Sequence, residues 1–379
     1  MAEAHINLSQ LACNIETTQA QLGDCKLLFP VKADGYGHGA VELAKTAQEL
    51  NVDYLGVANL AEGIELRESG IHIPILIFSA SRLSHISQLL DADVDVTLSS
   101  PIFANALNDA AAQQDKKIRV QLKVDTGMGR NGIWWEQARG LAQLVSDLSH
   151  LEFIGIFTHF SSSYSLDIHE QSFTQGQIIS FNQLLDQLDA DGILPPLRHI
   201  SNSSGVVQYK DQVTTGYYNM VRPGILLYGE PEIRKDWTDP IKPILSLKTW
   251  VTSISTLDDG RFIGYGREFQ TSGTRKIATL PVGYADGVSW WLKNSGQVSI
   301  NGHLAPIVGG ISMDQITVDV TDVGELNADD EVFLINEHLT AMDVAQTLGA
   351  SFSEIVLTAL SKRVARVYVK KPMPCSVSG

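Results

Sequence analysis

The sequence predicts an α/β protein in which an N-terminal (β/α)8 TIM-like barrel is followed by a mainly β C-terminal domain. Short apolar runs rich in β-branched residues alternate with longer helical patterns over the first part of the 379-residue chain. From about Pro240 the pattern changes to strand-like runs separated by turns. We expect the barrel to span 1–237 and the β domain 238–379, with the proline-containing stretch 235–243 as the joint.

Eight apolar runs are candidates for barrel strands. Their alternation with helical patterns favours a closed parallel barrel over a six-stranded open sheet. The runs lie at about 26–32, 54–58, 74–78, 94–98, 117–124, 152–158, 197–201 and 218–222. Helical patterns, with apolar residues near i, i+3 and i+4, lie at 40–50, 61–69, 102–112, 136–148 and 175–188.

The C-terminal part consists mainly of strand-like runs. They lie at 246–256, 276–282, 297–300, 315–320, 331–335 and 364–369. Turn sequences such as Asp258-Asp259-Gly260 and Asn301-Gly302 separate them. Helical patterns are confined to 341–348 and 352–360, so this part is predicted to be a separate, mainly β unit.

Composition excludes several classes of protein. A net charge of -15 argues against nucleic acid or an acidic membrane surface as partner, because both would repel the chain. Cys13, Cys25 and Cys375 are odd in number and lack CxxC spacing, so neither a disulfide framework nor a metal site is indicated. The N-terminus has no basic start with an apolar stretch behind it, and no later segment approaches a membrane span. We expect a soluble cytoplasmic protein.

Lys32 is the first candidate for chemistry. It follows an apolar run and precedes a turn that contains Gly35, Gly37 and Gly39. A lysine at the end of a buried strand is partly desolvated, which disfavours its ammonium form and frees the amine as a nucleophile that can form a Schiff base. Glycine-rich turns are also common in α/β proteins, and a strand-end lysine can simply be solvated.

Other polar residues follow the ends of later strands, where barrel enzymes carry their catalytic groups. They are Lys123, Asp125, Arg130, His159, Asn202, Ser203, Arg222 and Gly224. The stretches 203–205 and 222–225 have residue types suited to binding phosphate after the last two strands. A lysine that faces a phosphate site in one barrel mouth points to pyridoxal 5′-phosphate (PLP) as cofactor.

Eight segments, in order along nearly the whole chain, resemble the alanine racemase family of PLP-dependent, fold-type III enzymes. They lie at 31–39, 123–130, 158–160, 199–203, 220–224, 264–266, 281–287 and 312–315. The resemblance implies a homodimeric isomerase that interconverts L- and D-alanine.

The resemblance assigns two catalytic bases. Lys32 would hold PLP as a Schiff base and then act on one face of the substrate α-carbon. Racemisation needs a second acid/base on the opposite face, because one base returning its proton to the same side regenerates the starting isomer. Tyr265 matches the family's second base, which reaches the site from the partner subunit. In isolation, Tyr265 would rather be interpreted as a strand aromatic that packs beside Gly264 and Gly266, and its place in the ordered set of motifs reverses that preference.

Further roles follow from the resemblance. Arg222 would face the pyridine nitrogen of PLP, and Arg130 would hold the substrate carboxylate in a bidentate fork. Lys123 matches a lysine that is carboxylated on its amine in many members. His159 would hydrogen-bond towards Arg222 and Tyr265, although a lone histidine of this kind is otherwise a core or rim residue.

The remaining predicted contacts surround the cofactor phosphate and the substrate. Tyr36, Asn202 and Ser203 would contact the cofactor through their side chains. Gly224 and Ile225 would bind the phosphate through backbone N–H groups. Met313 would line the substrate side from the partner subunit.

One departure from the family pattern concerns Ser353, which stands where a tyrosine usually contacts the phosphate and narrows the pocket. A serine there would shorten that contact and open space, so we expect weaker cofactor retention and some activity on serine beside alanine. Ala365 and Ser312 also replace a usual proline and a frequent cysteine.

Several functions are open at this point. The favoured one is an alanine racemase that supplies D-alanine for peptidoglycan. A racemase with serine or broader preference is a close alternative. A decarboxylase of the same barrel class is disfavoured by Arg222 and the lysine–tyrosine pair. A non-catalytic PLP carrier would leave Tyr265 and the β domain unexplained.

Overall fold

The computed structural model describes residues 2–370, and the N-terminal part forms the predicted barrel. Its strands, with one that precedes them, are β1 (Glu3–Asn7), β2 (Lys26–Pro30), β3 (Tyr54–Val57), β4 (Ile75–Ile77), β5 (Asp95–Leu98), β6 (Ile118–Asp125), β7 (Ile133–Trp134), β8 (Leu151–Phe157), β9 (Leu197–His199) and β10 (Met220–Val221). Eight of them pair in the order β10-β2-β3-β4-β5-β6-β8-β9. At the seam, the N–H groups of Asn219 and Arg222 donate to the carbonyls of Arg198 and Ser201, so the barrel is nearly closed.

Helices surround the barrel. They are α1 (Leu8–Gln19), α2 (Lys32–Tyr36), α3 (Ala40–Glu49), α4 (Leu60–Glu68), α5 (Ile86–Asp91), α6 (Pro101–Gln113), α7 (Trp135–Asp147), α8 (Ile168–Ala190) and α9 (Ser203–Val213). The five predicted helical patterns correspond to α3, α4, α6, α7 and α8. The sequence did not predict α1, because buried polar residues such as Gln10, Asn14 and Thr18 hide its apolar periodicity.

The C-terminal part is mainly β, as predicted. It contains β11 (Leu245–Trp250), β12 (Ser253–Leu257), β13 (Phe262–Ile263), β14 (Phe269–Gln270), β15 (Arg275–Leu280), β16 (Gln297–Ile300), β17 (His303–Pro306), β18 (Ile316–Asp319), β19 (Glu331–Ile335) and β20 (Ala365–Val369), with α10 (Ala341–Thr347) and α11 (Glu354–Leu357). A six-stranded sheet has the order β17-β16-β19-β11-β1-β20, and a smaller sheet has the order β12-β15-β18. The single run predicted at 246–256 is therefore two strands in different sheets.

The first strand connects the two parts of the chain. β1 pairs antiparallel with β11 and parallel with β20, so the chain begins in the C-terminal sheet and then enters the barrel. The partners of β1 lie more than 200 residues away in sequence, so local patterns did not reveal this strand. The boundary between residues 237 and 238 stays a prediction.

Two apolar layers hold the barrel together. A large cluster packs between the strands and the helices, and it continues into the β domain. A separate cluster of Leu28, Leu76, Phe157, Leu197 and Met220 fills the interior of the barrel. Truncating one such buried side chain costs about 2–5 kcal/mol, so this packing stabilises the arrangement of the strands.

Two features bear on the class of the protein. No helix within residues 2–370 has the length and apolar character needed to cross a bilayer. The same residues contain no group of three or more His, Cys, Asp and Glu side chains that could hold a metal ion. Cys25 is buried, while Cys375 lies outside the described residues.

Candidate active site

A cavity of about 320 Å³ opens at the C-terminal ends of the barrel strands, where enzymes with this fold carry their active sites. The structure brings ten of the predicted site residues to its walls. They are Lys32, Tyr36, Lys123, Arg130, His159, Asn202, Ser203, Arg222, Gly224 and Ile225.

Lys32 is positioned by an unusual turn. Directly after β2, the backbone of α2 winds left-handed, with φ of 52° at Ala33 and Asp34, 59° at Gly35 and 51° at Tyr36. Such a turn costs about 1–2 kcal/mol per non-glycine residue. Two carboxylates hold it in place: Glu62 accepts from the Ala33 N–H at 2.9 Å, and Asp34 accepts from the Ala40 N–H at 3.0 Å. The strain is concentrated where the lysine must enter the cavity.

The electrostatics at Lys32 favour a neutral amine. Burial lowers its pKa, and the nearby Arg130 guanidinium lowers it further. Glu354 and Glu62 act in the opposite direction, but the net pKa is below the ordinary lysine value. A lysine with a lowered pKa is a better nucleophile and a better proton acceptor near neutral pH.

Lys123 lies deeper in the same wall. Its Nζ is 4.6 Å from the centre of the Phe157 ring. Burial, together with the positive charges of Arg222 and Arg130, lowers the pKa of Lys123 to about 7. A substantial fraction of this amine is therefore uncharged near neutral pH, the form that can react with an electrophile.

The loop that carries Arg130 is held by the Asp125 carboxylate at the end of β6. One oxygen of Asp125 accepts from the N–H groups of Gly127 at 2.9 Å and Gly129 at 3.1 Å, and the other accepts from the Arg130 N–H at 3.0 Å. Burial alone would raise the pKa of Asp125, but these backbone donors outweigh it and lower the pKa. Asp125 thus fixes the backbone from which the Arg130 side chain extends to the cavity.

Arg222 forms the floor of the cavity. Its side chain is buried, and it donates to the Thr158 carbonyl at 2.7 Å, to His199 Nδ1 at 2.7 Å and to His159 Nδ1 at 3.3 Å. Burial lowers the pKa of Arg222 to about 9. Burial and the charge of Arg222 hold the pKa of His159 well below its ordinary value, so this imidazole is neutral.

The opposite side of the cavity is built for an anion. Helix α9 begins here at Ser203, and its N-cap Asn202 accepts from the Gly205 N–H at 2.9 Å. Ser203 Oγ accepts from the Leu226 N–H at 3.2 Å. A Cβ added at Gly224 would lie 2.6 Å from Tyr36 Oη, so the glycine leaves room for the tyrosine hydroxyl at this close approach. Helix N-termini and backbone N–H groups of this kind bind phosphate.

Two carboxylates that the sequence analysis did not identify also line the cavity. Glu232 accepts a short hydrogen bond from Ser204, and Glu354 has one buried oxygen that finds no hydrogen-bond partner among the described residues. Burial raises the pKa of both. Ser353, predicted to contact the cofactor, is completely buried and does not line the cavity, so Glu354 forms the wall there instead.

The side chains of Tyr265 and Met313 are exposed in their own chain. Their exposed fractions are 79% and 52%, and neither lines the cavity formed by Lys32 and Arg222. Tyr265 stands on a tight turn between Gly264 and Gly266, both at φ 72°. A Cβ added at Gly264 would lie 2.8 Å from the Gly310 N atom, so the turn is closely packed beneath the exposed ring. The structure thus presents the phenol outward.

A larger cavity, of about 650 Å³, lies in the β domain. Its walls are mainly apolar side chains such as Leu292, Leu334 and Val344. It does not contain the converging lysine and arginine side chains of the barrel mouth, so size alone does not identify the active site.

Comparison with known proteins agrees with this geometry. The family models "Alanine racemase, N-terminal domain" and "Alanine racemase, C-terminal domain" match residues 6–231 and 244–368. An alanine racemase of Clostridium kluyveri is 38% identical over 96% of this chain and 93% of its own length. The structure of alanine racemase from Clostridium difficile 630 has a TM-score of 0.89 at 34% identity and covers 97% of this chain and 96% of its own.

A further solved structure bears on the cofactor. Alanine racemase from Bartonella henselae, with covalently bound pyridoxal phosphate, has a TM-score of 0.86 at 27% identity and covers 97% of this chain and 99% of its own. The chain belongs to the alanine racemase family, whose two-part fold was predicted from the hydrophobic patterns and whose PLP-dependent isomerase chemistry was predicted from the motifs.

Proposed function

We propose that this chain interconverts L- and D-alanine as a homodimer with PLP, using Lys32 and the partner subunit's Tyr265 as its two bases. One observation supports this above the others. The Lys32 amine, with its pKa lowered by burial, enters the same cavity as Arg222 and the N-terminus of α9. A nucleophilic amine, a ring-facing cation and an anion site then lie within one small space.

The residues present fit PLP. Ser203, Tyr36 and the backbone around Gly224 and Ile225 would hold its phosphate, because a helix N-terminus and a glycine that leaves room for close approach meet there. Arg222 would donate to the ring nitrogen. Asn202, as the N-cap of α9, holds the helix N-terminus that would face the phosphate. Lys32 would hold PLP until the amino group of the substrate takes its place, and PLP would then make the α-hydrogen of the amino acid acidic.

Lys32 then serves as the base on one face of the α-carbon. Its Nζ takes the α-proton, and its lowered pKa increases the fraction of the amine that is unprotonated and able to do so. The left-handed turn at Ala33 and Asp34 fixes the direction of approach.

The partner subunit's Tyr265 supplies a proton at Oη to the opposite face. An exposed phenol on a rigid turn, outside the cavity of its own chain, is what a site shared between two subunits requires. Met313 would line the same side from the partner subunit, through its main chain. Neutral His159 beside Arg222 would orient the phenol.

Arg130 would bind the substrate carboxylate. Its planar fork suits a carboxylate, and Asp125 holds its backbone. Lys123 lies near it with a pKa of about 7, so its neutral amine could be carboxylated and would then orient Arg130 as an anion. The small cavity supports alanine, and Ser353 in place of the family's usual tyrosine leaves space that supports serine as a secondary substrate.

The physiological role that we propose is the supply of D-alanine for peptidoglycan, in the cytoplasm. The names of the relatives support the alanine part of it. The barrel at 1–237 would then bind PLP, and the β domain at 238–379 would supply Tyr265 to the partner.

A coupled assay tests the proposal. Purified protein loaded with PLP is incubated with L-alanine, and D-amino-acid oxidase reports D-alanine. We expect D-alanine from the wild type and none from Lys32→Ala. A decarboxylase would instead release carbon dioxide and a PLP carrier would give neither product, so either result would refute the proposal. Repeating the assay with L-serine measures the secondary activity.

A further inference from the structure

A line of buried side chains crosses the barrel interior below the cavity floor. Arg222 Nη1 lies 2.7 Å from His199 Nδ1, and His199 Nε2 lies 2.8 Å from Gln121 Oε1. Gln121 Nε2 lies 3.0 Å from Asp95 Oδ2, and the other oxygen of Asp95 accepts from Arg119 Nε at 2.7 Å. The line therefore extends from the active-site arginine to the far end of the barrel.

Every hydrogen bond in this line has a fixed direction. Arginine only donates, so His199 Nδ1 must accept from Arg222 and the proton of the ring must be on Nε2. That N–H donates to Gln121 Oε1, which leaves the amide NH2 of Gln121 to face Asp95. Burial raises the pKa of the Asp95 carboxyl, but Arg119 Nε and the Gln121 NH2 both present N–H donors to it, so Asp95 accepts at both oxygens and the bonds run in the direction that Arg222 requires.

The side chains in this line are shielded from water, which would otherwise compete for their hydrogen bonds. Asp95, Gln121 and His199 are each 0% exposed. The His199 ring stacks on Phe157, with centroids 4.9 Å apart and planes 4° from parallel. A Cβ added at Gly155 would lie 2.6 Å from Gln121 Oε1, so the glycine leaves the space that the amide occupies.

Two further groups contact the Asp95 end. Tyr54 hydrogen-bonds the Asp95 carboxyl through its hydroxyl, which can donate or accept and so imposes no polarity. Arg119 also donates to Asp93 at 2.9 Å, outside the line. Burial and the charges of Arg222 and Lys123 hold the pKa of His199 well below its ordinary value, so the ring has a single proton to place.

We propose that Asp95 and Gln121 are positioning residues that hold His199 as its Nε2–H tautomer and thereby orient the Arg222 guanidinium at the cavity floor. The inference rests on the proposed function for its consequence in catalysis, since Arg222 is the residue assigned to the cofactor ring. Its structural content, the tautomer of His199, stands independently of the activity.

We expect Asp95→Asn to exchange the donor and acceptor roles along this line of hydrogen bonds. The donor Arg119 requires the Asn oxygen, so the Asn NH2 faces Gln121 and turns the glutamine oxygen towards itself. The Gln121 NH2 then faces His199 Nε2, which must become the acceptor, and the ring proton moves to Nδ1. That proton points at Arg222, a donor, and the bond between His199 and Arg222 is lost.

The experiment records nitrogen-15 NMR spectra of PLP-loaded protein labelled in histidine, with His199→Asn used to assign the signal. We expect Nε2–H in the wild type and Nδ1–H in Asp95→Asn. We also expect kcat for alanine to fall about tenfold to a hundredfold in this variant, with KM little changed. Asp93→Asn is the matched control, because it removes a carboxylate from Arg119 without entering the line, and it should leave both readouts unchanged.

A second variant covers the case in which Asp95→Asn does not fold. Gln121→Met keeps the size of the side chain and leaves the pair of Asp95 and Arg119 intact, but it removes the acceptor of the His199 Nε2–H, so the Nε2 signal should shift to the position of an N–H without a hydrogen bond and kcat should fall. An unchanged Nε2–H signal in the variants that fold, with wild-type kcat, would overturn the inference. A wild-type protein with Nε2–H at His199 but no racemase activity would refute the proposed function alone.

Discussion

Asp125→Asn tests how the loop that carries Arg130 is held. The asparagine oxygen can keep the bonds from Gly127 and Gly129, but its NH2 would face the Arg130 N–H, which now donates at 3.0 Å to the second carboxylate oxygen. Hydrogen bonds to a charged group contribute about 1.5–3 kcal/mol each. We expect the free energy of unfolding to fall by about 2–3 kcal/mol, since one such bond is lost and the others weaken.

The same variant should weaken substrate binding. A displaced Arg130 backbone moves the side chain assigned to the alanine carboxylate, so KM should rise about tenfold while kcat changes little. The assays are urea unfolding and steady-state racemisation. Asp147→Asn, at an exposed carboxylate bonded to Gln143 at 3.1 Å, is the matched control and should change neither quantity measurably.

The pH dependence follows from the lowered pKa of Asp125. A carboxyl with a folded-state pKa below its unfolded value stabilises the protein above that unfolded value, about 3.9. The contribution is lost as pH falls through the folded pKa. The difference in stability between wild type and Asp125→Asn should therefore be full near neutral pH and shrink under strong acid. Wild-type stability and KM in Asp125→Asn would refute the reasoning.

Three further predictions follow from other parts of the site. Ala33→Gly should raise the free energy of unfolding by about 1 kcal/mol, because glycine adopts the left-handed conformation without strain; a destabilised protein in urea would contradict this. Glu354→Gln should lower the pKa of Lys32 further, so that acylation of Lys32, followed by mass spectrometry of unloaded protein, has its midpoint at lower pH; a shift to higher pH would disprove the assignment. Mixing and re-pairing Lys32→Ala with Tyr265→Ala chains should restore about a quarter of wild-type activity, because half of the dimers are mixed and each has one intact site; confirmed mixed dimers without activity would exclude a shared site.

Much of the fold could be predicted from local patterns. The barrel strands and five of the helices around them, α3, α4, α6, α7 and α8, have periodic or continuous apolar patterns that are visible in sequence. The strand β1 and the short strands β13, β14 and β17 could not be found this way. β1 is defined by pairing with residues more than 200 positions away, and the other three have two to four residues.

Part of the candidate site could likewise be predicted from the sequence, and part could not. Lys32, Arg222 and Ser203 were predicted because the C-terminal ends of barrel strands converge at one mouth. The line from Asp95 through Gln121 to His199 was missed, because a glutamine and an aspartate inside strands carry no local signal until the barrel closes around them. Ser353 was assigned from its place in the family pattern, and Glu354 was not predicted, because a single carboxylate at the start of a short helix has no local signal of its own.

Isotope exchange during catalysis tests the central claim most directly. The PLP-loaded protein is incubated in heavy water with L-alanine and, separately, with D-alanine, and the deuterium content and handedness of alanine are followed with time. The two bases, Lys32 and the partner subunit's Tyr265, predict that deuterium enters the α-carbon from either enantiomer and that both reactions converge on equal amounts of the two. Exchange without inversion, or no exchange from one enantiomer, would contradict the account.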